Sequence, residues 1–263
     1  MNIADLFFKL KFRSWKLLRR HRLRADNILS ENDARRDEFR LAGLSYDVGR
    51  SVANRTFSKL GLVRSDDSIH YEIFAAISQV TDVKNVLEIG TSVGNFTHFI
   101  TGLFPNARIQ TWDLPSESFA SPQSGPYRAI SDQYGDQTRI SRNRLFGIDN
   151  LVQIRRDSTL LTFETEIFDL IWIDGDHTFP IVAFDLANAL RLVGPRGWIC
   201  ADDVLLKATK SSPSGTLESF RTVSHLHDLG LVSLNLITKR LNDYNLMLDS
   251  DYRKRVAVMQ RIG

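Results

Sequence analysis

The sequence has few of the features that mark secreted or membrane-spanning proteins. Its 263 residues include one cysteine, Cys200, so an internal disulfide is excluded and a reducing, cytoplasmic setting is favoured. No apolar run approaches the roughly 18 to 20 residues that a membrane span needs, and the start lacks the pattern of a secretory signal. With 43% hydrophobic residues, the chain can bury a core. We expect a globular protein, soluble or at most peripheral to a membrane.

An excess of one charge is also absent, except at the start of the chain. The net charge is +3, yet residues 1–24 hold eight Lys or Arg against one Asp. Apolar residues share one helical face there: Ile3, Leu6, Phe7, Leu10, Leu17 and Leu18. One interpretation is a helix on the anionic inner face of a membrane. The other is a helix packed on its own domain or on a partner subunit, and an organelle transit peptide fits less well because of Asp5.

Apolar runs alternate with helical stretches along most of the chain. The runs occupy residues 85–90, 108–113, 151–156, 168–174 and 197–201. Such alternation predicts a parallel sheet with helices on both faces. Two close runs in the tail, 231–241 and 253–262, predict a hairpin and hence an antiparallel edge. We divide the chain into an N-terminal helical extension, 1–67, and one α/β domain, 68–263.

The sequence NVLEIGTSVGNFTHFI, residues 85–100, predicts a strand, a tight turn and the start of a helix. Gly90 and Gly94 let the backbone approach a ligand, and the helix offers free N–H groups to it. The dinucleotide fingerprint needs two further glycines where Ser92 and Asn95 stand, so NAD is disfavoured. A P-loop would need a Lys followed by Ser or Thr, which is missing.

An acidic residue stands at the end of each of the first three predicted strands. Glu88 suits a ligand with an ammonium group, Asp113 can accept from ribose hydroxyls, and Asp157 can accept from an exocyclic amine. Amine, ribose and adenine together describe S-adenosylmethionine. For Asp113 and Asp157 a role as a turn-initiating residue stays open as the alternative.

These residues resemble the class I S-adenosylmethionine-dependent methyltransferases, over roughly residues 68–263. LEIGTSVGNFT is similar to the first motif of the catechol and caffeoyl-CoA O-methyltransferases and of the macrocin-type sugar O-methyltransferases, where the middle glycine is replaced, as by Ser92. The resemblance implies a Rossmann-like, mostly parallel seven-stranded sheet with the last strand antiparallel. The cofactor-binding residues that we predict are Glu88, Gly90, Thr91, Ser92, Gly94, Asp113, Asp157, Ser158 and Asp174.

Two further runs, LIWIDGDHTFP and GWICADDV, end in carboxylates. Ligands of open parallel sheets bind outside the carboxyl ends of the strands, so Asp174, Asp176, Asp202 and Asp203 can converge on one crevice. Close carboxylates repel one another unless a cation neutralises them. Oxygen ligands favour Mg²⁺ first, with Ca²⁺ or Mn²⁺ as alternatives, while capping of turns and helices is the simpler interpretation.

Methyl transfer to an alcohol needs a base, and binding to a divalent ion helps by lowering the pKa of the hydroxyl. His177, with an ordinary pKa of about 6.5, is placed to be that base. In the metal-dependent O-methyltransferases that the chain resembles, acids after the fourth and fifth strands hold the metal, which implies Asp174, Asp202 and Asp203. The catalytic lysine of the catechol type falls on His177 here, and Asp176 is the rival base.

The sequence thus predicts a metal-assisted, S-adenosylmethionine-dependent O-methyltransferase. The DGDH sequence resembles sugar and natural-product members, which implies a hydroxyl of a sugar or glycosylated natural product as acceptor. A catechol-like phenol is the alternative, and a non-catalytic scaffold is the rival from another class, because fold alone does not establish function. We expect a small-molecule acceptor and no nucleic acid partner, while membrane contact through residues 1–24 and a homo-oligomer stay open.

Overall fold

The computed structural model describes most of the chain in five stretches. These are residues 25–64, 68–115, 143–207, 215–239 and 253–262. The predicted basic helix at 1–24 lies outside them, as does most of the long connection at 114–150. Within the described stretches, no helix combines the length and apolar character that crossing a membrane requires.

Seven strands form one sheet. They are β1 (Asn85–Ile89), β2 (Arg108–Asp113), β3 (Leu151–Arg155), β4 (Phe168–Ile173), β5 (Val193–Val204), β6 (Val232–Thr238) and β7 (Arg255–Arg261). Their order across the sheet is β3-β2-β1-β4-β5-β7-β6. The first five are parallel, and β7 runs antiparallel to both β5 and β6. The predicted mostly parallel sheet with an antiparallel last strand is confirmed.

Helices cover both faces of this sheet. They are α1 (Ala25–Leu41), α2 (Tyr46–Leu60), α3 (His70–Ile77), α4 (Asn95–Leu103), α5 (Ile181–Leu192) and α6 (Gly215–Asp228). Successive strand residues point to opposite faces, so Val86 packs in a core with α1 to α4 while Leu87 packs in a second core with α5 and α6. Burial on both faces explains why the strands are nearly continuous apolar runs.

Helix α1 is bound to the end of β6. The Glu38 carboxylate accepts the N–H and the hydroxyl of Thr238, at 2.8 and 2.7 Å. The guanidinium of the buried Arg35 donates to the carbonyl of Thr238 at 3.1 Å. Three hydrogen bonds therefore fix the chain at the residue where β6 ends.

A buried ion pair closes the connection between α2 and α3. The Arg64 guanidinium donates to both carboxylate oxygens of Glu72, at 2.6 and 3.0 Å, and to the carbonyl of Ser68 at 2.8 Å. Glu72 is 2% exposed. A buried carboxylate with such a partner is far more costly to disrupt than an ion pair on the surface.

Replacing Glu72 with Ala should lower the free energy of unfolding by about 3 kcal/mol, because Arg64 loses its partner. Urea denaturation followed by circular dichroism measures the change. The matched control is Asp37→Ala, which removes an exposed pair with Arg40 and should cost no more than about 0.5 kcal/mol. Equal losses in the two variants would contradict this account of the connection.

Candidate functional site

The turn after β1 lies directly against the end of β4. Gly90 has φ 99°, and a Cβ there would lie 2.3 Å from the carbonyl oxygen of Asp174. The two strand ends are joined by a hydrogen bond from the Asp174 N–H to the carbonyl of Ile89, at 2.8 Å. Only glycine fits at position 90, and the close approach brings the glycine turn and the acids after β4 to one edge of the sheet.

The same turn is bound to the end of β2. Ser92 has φ 47°, in the left-handed region that costs most residues about 1–2 kcal/mol, and its N–H donates to the Asp113 carboxylate at 2.8 Å. Gly94, with φ 74°, then begins α4. The structure therefore brings together four of the predicted cofactor residues, Gly90, Ser92, Gly94 and Asp113.

Glu88 lies beneath this turn and is 1% exposed. One of its carboxylate oxygens accepts the hydroxyls of Thr97 and Thr111, at 2.7 and 2.6 Å. The Thr91 hydroxyl lies 2.6 Å from that of Thr111 and extends the network. Burial raises the pKa of Glu88 to about 7, although the two hydroxyls that it accepts counteract the shift.

Asp157 ends β3 as predicted and begins a short 3₁₀ helix, Ser158–Phe163. Its carboxylate accepts the N–H and the hydroxyl of Thr159, at 2.9 and 2.7 Å. The capping role that the sequence left open is thus present, and binding to adenine stays a prediction.

Sequence analysis missed one buried acid near the site, Asp185 on α5. It lies beside Gly175, and burial raises the pKa of its carboxyl to about 6.

His177 lies among the acids that follow β4 and β5. Its Nε2 is 3.5 Å from Asp174 Oδ1 and 4.0 Å from Asp203 Oδ2. Burial alone would lower the pKa of His177, but the hydrogen bond and charge of Asp174, with the charges of Asp203 and Asp202, outweigh it and raise the pKa. The expectation of an ordinary histidine pKa was wrong, because the sequence could not give the distances to these carboxylates.

Asp176, the rival base, is exposed and shapes the turn. One of its carboxylate oxygens accepts the N–H and the hydroxyl of Thr178, at 2.8 and 2.7 Å. Burial and the nearby charge of Asp202 raise the pKa of Asp174, which the hydrogen bond from His177 counteracts. The geometry favours His177 paired with Asp174 as the proton-handling group, while the role of Asp176 as a base stays a prediction.

The acid pair after β5 is made by a bulge. Neighbouring residues of a regular strand point to opposite faces, but the pairing of β5 with β7 shifts between Ala201 and Val204, and Asp203 has φ 52°. Bulges re-aim side chains in this way. Asp202 and Asp203 therefore both reach the same ammonium group.

That ammonium belongs to Lys239, which sequence analysis missed. Lys239 Nζ contacts Asp202 Oδ2 and lies 2.7 Å from Asp203 Oδ1, while Lys254 Nζ contacts Asp203 Oδ2. The charge of Lys239 outweighs burial and lowers the pKa of Asp202, and it lowers the pKa of Asp203 together with His177 and Lys254. The carboxylates are neutralised from within the protein.

The predicted magnesium site is not found in this arrangement. Among the described residues, no group of three or more His, Cys, Asp or Glu side chains is placed to hold a metal ion. Asp174, Asp202 and Asp203 do end neighbouring strands, but ammonium groups occupy three of the carboxylate oxygens that a metal would need. As arranged, these residues do not fit Mg²⁺.

Comparison with known proteins agrees with the fold and the turn. Residues 87–204 match a family model described as a methyltransferase domain, and no curated protein matches the chain. An O-methyltransferase from Bacillus cereus in complex with SAH (S-adenosylhomocysteine) superposes with a TM-score of 0.52 at 18% identity, over 81% of this chain and 91% of that one. The O-methyltransferase TomG from Streptomyces achromogenes gives 0.50 at 16% identity, over 84% and 92%.

The matched region runs from β1 to the end of β5, so it contains the glycine turn, the His177–Asp174 pair and the acid pair. Residues 87–204 are therefore similar to a methyltransferase domain, and the chain has the Rossmann-like fold of these solved O-methyltransferases.

Proposed function

We propose that the protein transfers a methyl group from S-adenosylmethionine to a hydroxyl oxygen of a small acceptor. The observation that carries the proposal is the pairing of His177 with Asp174, 3.5 Å apart, beside the turn of Gly90. In this proposal the cofactor and the proton-accepting pair share one crevice at the carboxyl ends of the strands, where open α/β sheets bind their ligands.

The glycine turn supports cofactor binding because it leads into the N-terminus of α4, where the first backbone N–H groups of a helix can donate to a ligand. Asp113 would take the ribose hydroxyls and Glu88 the ammonium group, with Thr91, Ser92, Asp157, Ser158 and Asp174 as the further residues of the site. When bound, S-adenosylmethionine supplies an electrophilic methyl group. The solved structures from Bacillus cereus and Streptomyces achromogenes, described in complex with SAH and SAM, share this fold.

In this proposal the imidazole of His177 takes up the hydroxyl proton of the acceptor. Asp174 holds Nε2 of the ring and stabilises the imidazolium that forms, as a carboxylate does for a catalytic histidine. The raised pKa makes His177 a stronger base than an ordinary histidine. Metal assistance, which the family resemblance implies, is not used, because Lys239 and Lys254 bind the acid pair.

For the acceptor we propose a hydroxyl of a sugar or glycosylated natural product, on the DGDH sequence at 174–177, with a catechol-type phenol as the alternative. TomG, which has the same fold, is described as involved in tomaymycin synthesis. The N-terminal helices and the connection at 114–150, which we propose as walls of the acceptor pocket, lie partly outside the described residues. Methylation on nitrogen alone, across a panel of acceptors, would contradict the assignment.

A non-catalytic scaffold is the second candidate, and one observation favours it. The acid pair has internal partners, so the convergence of Asp202 and Asp203 does not by itself require a ligand.

We also propose a cytoplasmic homo-oligomer that contacts the inner membrane face through residues 1–24. Co-sedimentation with anionic vesicles, with and without that segment, tests the membrane contact.

Replacing Asp113 with Ala should weaken binding of S-adenosylhomocysteine by about 10-fold or more, since hydrogen bonds to a charged group contribute about 1.5–3 kcal/mol. Calorimetry on the full chain measures the affinity. The control is Asp149→Ala, an exposed acid before β3 at the opposite edge of the sheet, which should bind as the wild type does. If the wild type does not bind S-adenosylhomocysteine, the result would contradict the methyltransferase proposal and favour the non-catalytic scaffold.

Affinity for S-adenosylhomocysteine should also depend on the protonation of Glu88. A carboxyl with a pKa of about 7 is mostly protonated at pH 6 and ionised at pH 8, and an ammonium ligand needs the ionised form. We expect affinity about tenfold weaker at pH 6 than at pH 8. In Glu88→Gln this difference should disappear, while titration of the ligand's own amine remains in both proteins. Identical pH profiles would contradict a role for Glu88 at the ammonium.

Replacing His177 with Asn should reduce methyl transfer by at least about 100-fold, the usual effect of losing a general base. Binding of S-adenosylhomocysteine should stay within about twofold, because the loss concerns the acceptor proton. His227→Ala changes an exposed histidine on α6 and serves as the matched control. An unchanged rate in His177→Asn, with the rate lost in Asp176→Asn, would transfer the base role to Asp176.

A further inference from the structure

Lys239 is placed as an interior residue, not as a surface lysine. It directly follows β6, and its side chain is 8% exposed. Its ammonium contacts one oxygen of Asp202 and lies 2.7 Å from one oxygen of Asp203. A buried ammonium is costly unless it is paired and hydrogen-bonded, and here two carboxylates pair with it.

The backbone at Lys239 is held on both sides. Its N–H donates to the carbonyl of Lys254, and its carbonyl accepts the N–H of Ile69, each at 2.9 Å. The preceding residue, Thr238, is bound by Glu38 and Arg35 from α1. The backbone from which the ammonium extends is therefore held by three separate segments of the chain.

Lysine ammonium groups compete with a divalent ion at the acid pair. Lysines take both oxygens of Asp203 and one of Asp202. Two groups remain that could bind a metal ion. They are the Asp174 carboxylate and Oδ1 of Asp202, which has no hydrogen-bond partner among the described residues. Mg²⁺ can complete its six oxygens with water, but an ion bound to the remaining carboxylate oxygens would lie next to the Lys239 ammonium, which repels it.

We propose that Lys239 is a built-in cation that takes the place of a divalent ion at the Asp202–Asp203 pair, so that the crevice works without a bound metal. The inference rests on the proposed function, in that the crevice is the one assigned to methyl transfer. Its test measures ion binding, so it fails or succeeds separately from catalysis.

In this role Lys239 is a positioning residue. It fixes Asp203, whose second oxygen lies 4.0 Å from His177 Nε2, and it balances the charge of the acids around the imidazole. Lys254 assists from the exposed side of Asp203, where 37% of its own side chain is accessible. The cation is thus supplied by β6 and by the residue before β7, not by the solvent.

The test is a calorimetric titration of MgCl₂ into the metal-stripped full chain. We expect the wild type and Asp202→Asn to give the same heat, with no Mg²⁺ binding that depends on Asp202. In Lys239→Met the acid pair loses its partner, and we expect Mg²⁺ affinity to rise at least tenfold and Mg²⁺ to raise the melting temperature. Lys239→Arg, which keeps the charge, should exclude Mg²⁺ as the wild type does.

Binding of one Mg²⁺ by the wild type that Asp202→Asn abolishes would overturn the proposal, whether or not Lys239→Met folds. A folded Lys239→Met with no gain in Mg²⁺ affinity would overturn it as well. The double variant Lys239→Met with Asp202→Asn removes both partners and should fold without a Mg²⁺ response. Binding of S-adenosylhomocysteine in EDTA, measured on the same wild-type sample, separates failure of this inference from failure of the proposed function.

Discussion

The ion pair between Lys239 and the two acids of the β5 bulge is the interaction on which the candidate site depends. Carboxylates at 174, 202 and 203 cannot lie together in a largely buried crevice without positive charge. Lys239 supplies it from the end of β6, where its side chain is 8% exposed. The antiparallel hairpin at the sheet edge is therefore part of the site's chemistry as well as its support.

Two further contacts fix the glycine turn relative to the candidate site. Gly90 lets β1 and β4 end within contact of each other, since a Cβ would meet the backbone of Asp174 at 2.3 Å. Asp113 accepts the Ser92 N–H and stabilises a turn in which Ser92, a residue other than glycine, has a positive φ. The glycine turn and the His177–Asp174 pair are thereby fixed relative to each other by backbone packing, which suits a reaction that needs two ligands aligned.

Much of this arrangement follows from the sequence, because the apolar runs indicate where the strands begin and end. The runs at 85–90 and 108–113 predicted β1 and β2 to within a residue, and the acids at their ends fell at the expected edge. The hairpin was also predicted, and the position of Lys239 could have been inferred from it. In an antiparallel β7, Lys254 and Lys239 must both lie beside the carboxyl end of β5.

What sequence patterns could not give was the partner of each charge. A pair of aspartates predicts a cation, but periodicity does not say whether the cation is a metal or a lysine from a segment 36 residues away. The bulge that turns Asp203 toward Lys239 depends on a local φ of 52°, for which no residue type in ADDV is diagnostic. The raised pKa of His177 likewise comes from its distances to carboxylates at the ends of two strands, β4 and β5.

The most direct test of the account is a crystal structure of the chain grown with S-adenosylhomocysteine and MnCl₂, with an anomalous map at the manganese edge. We predict that the ligand lies at the turn of Gly90 to Gly94 and that no manganese peak lies at Asp174, Asp202 and Asp203, with Lys239 Nζ still on the acid pair. A manganese ion bound by these acids, with Lys239 displaced, would contradict the account.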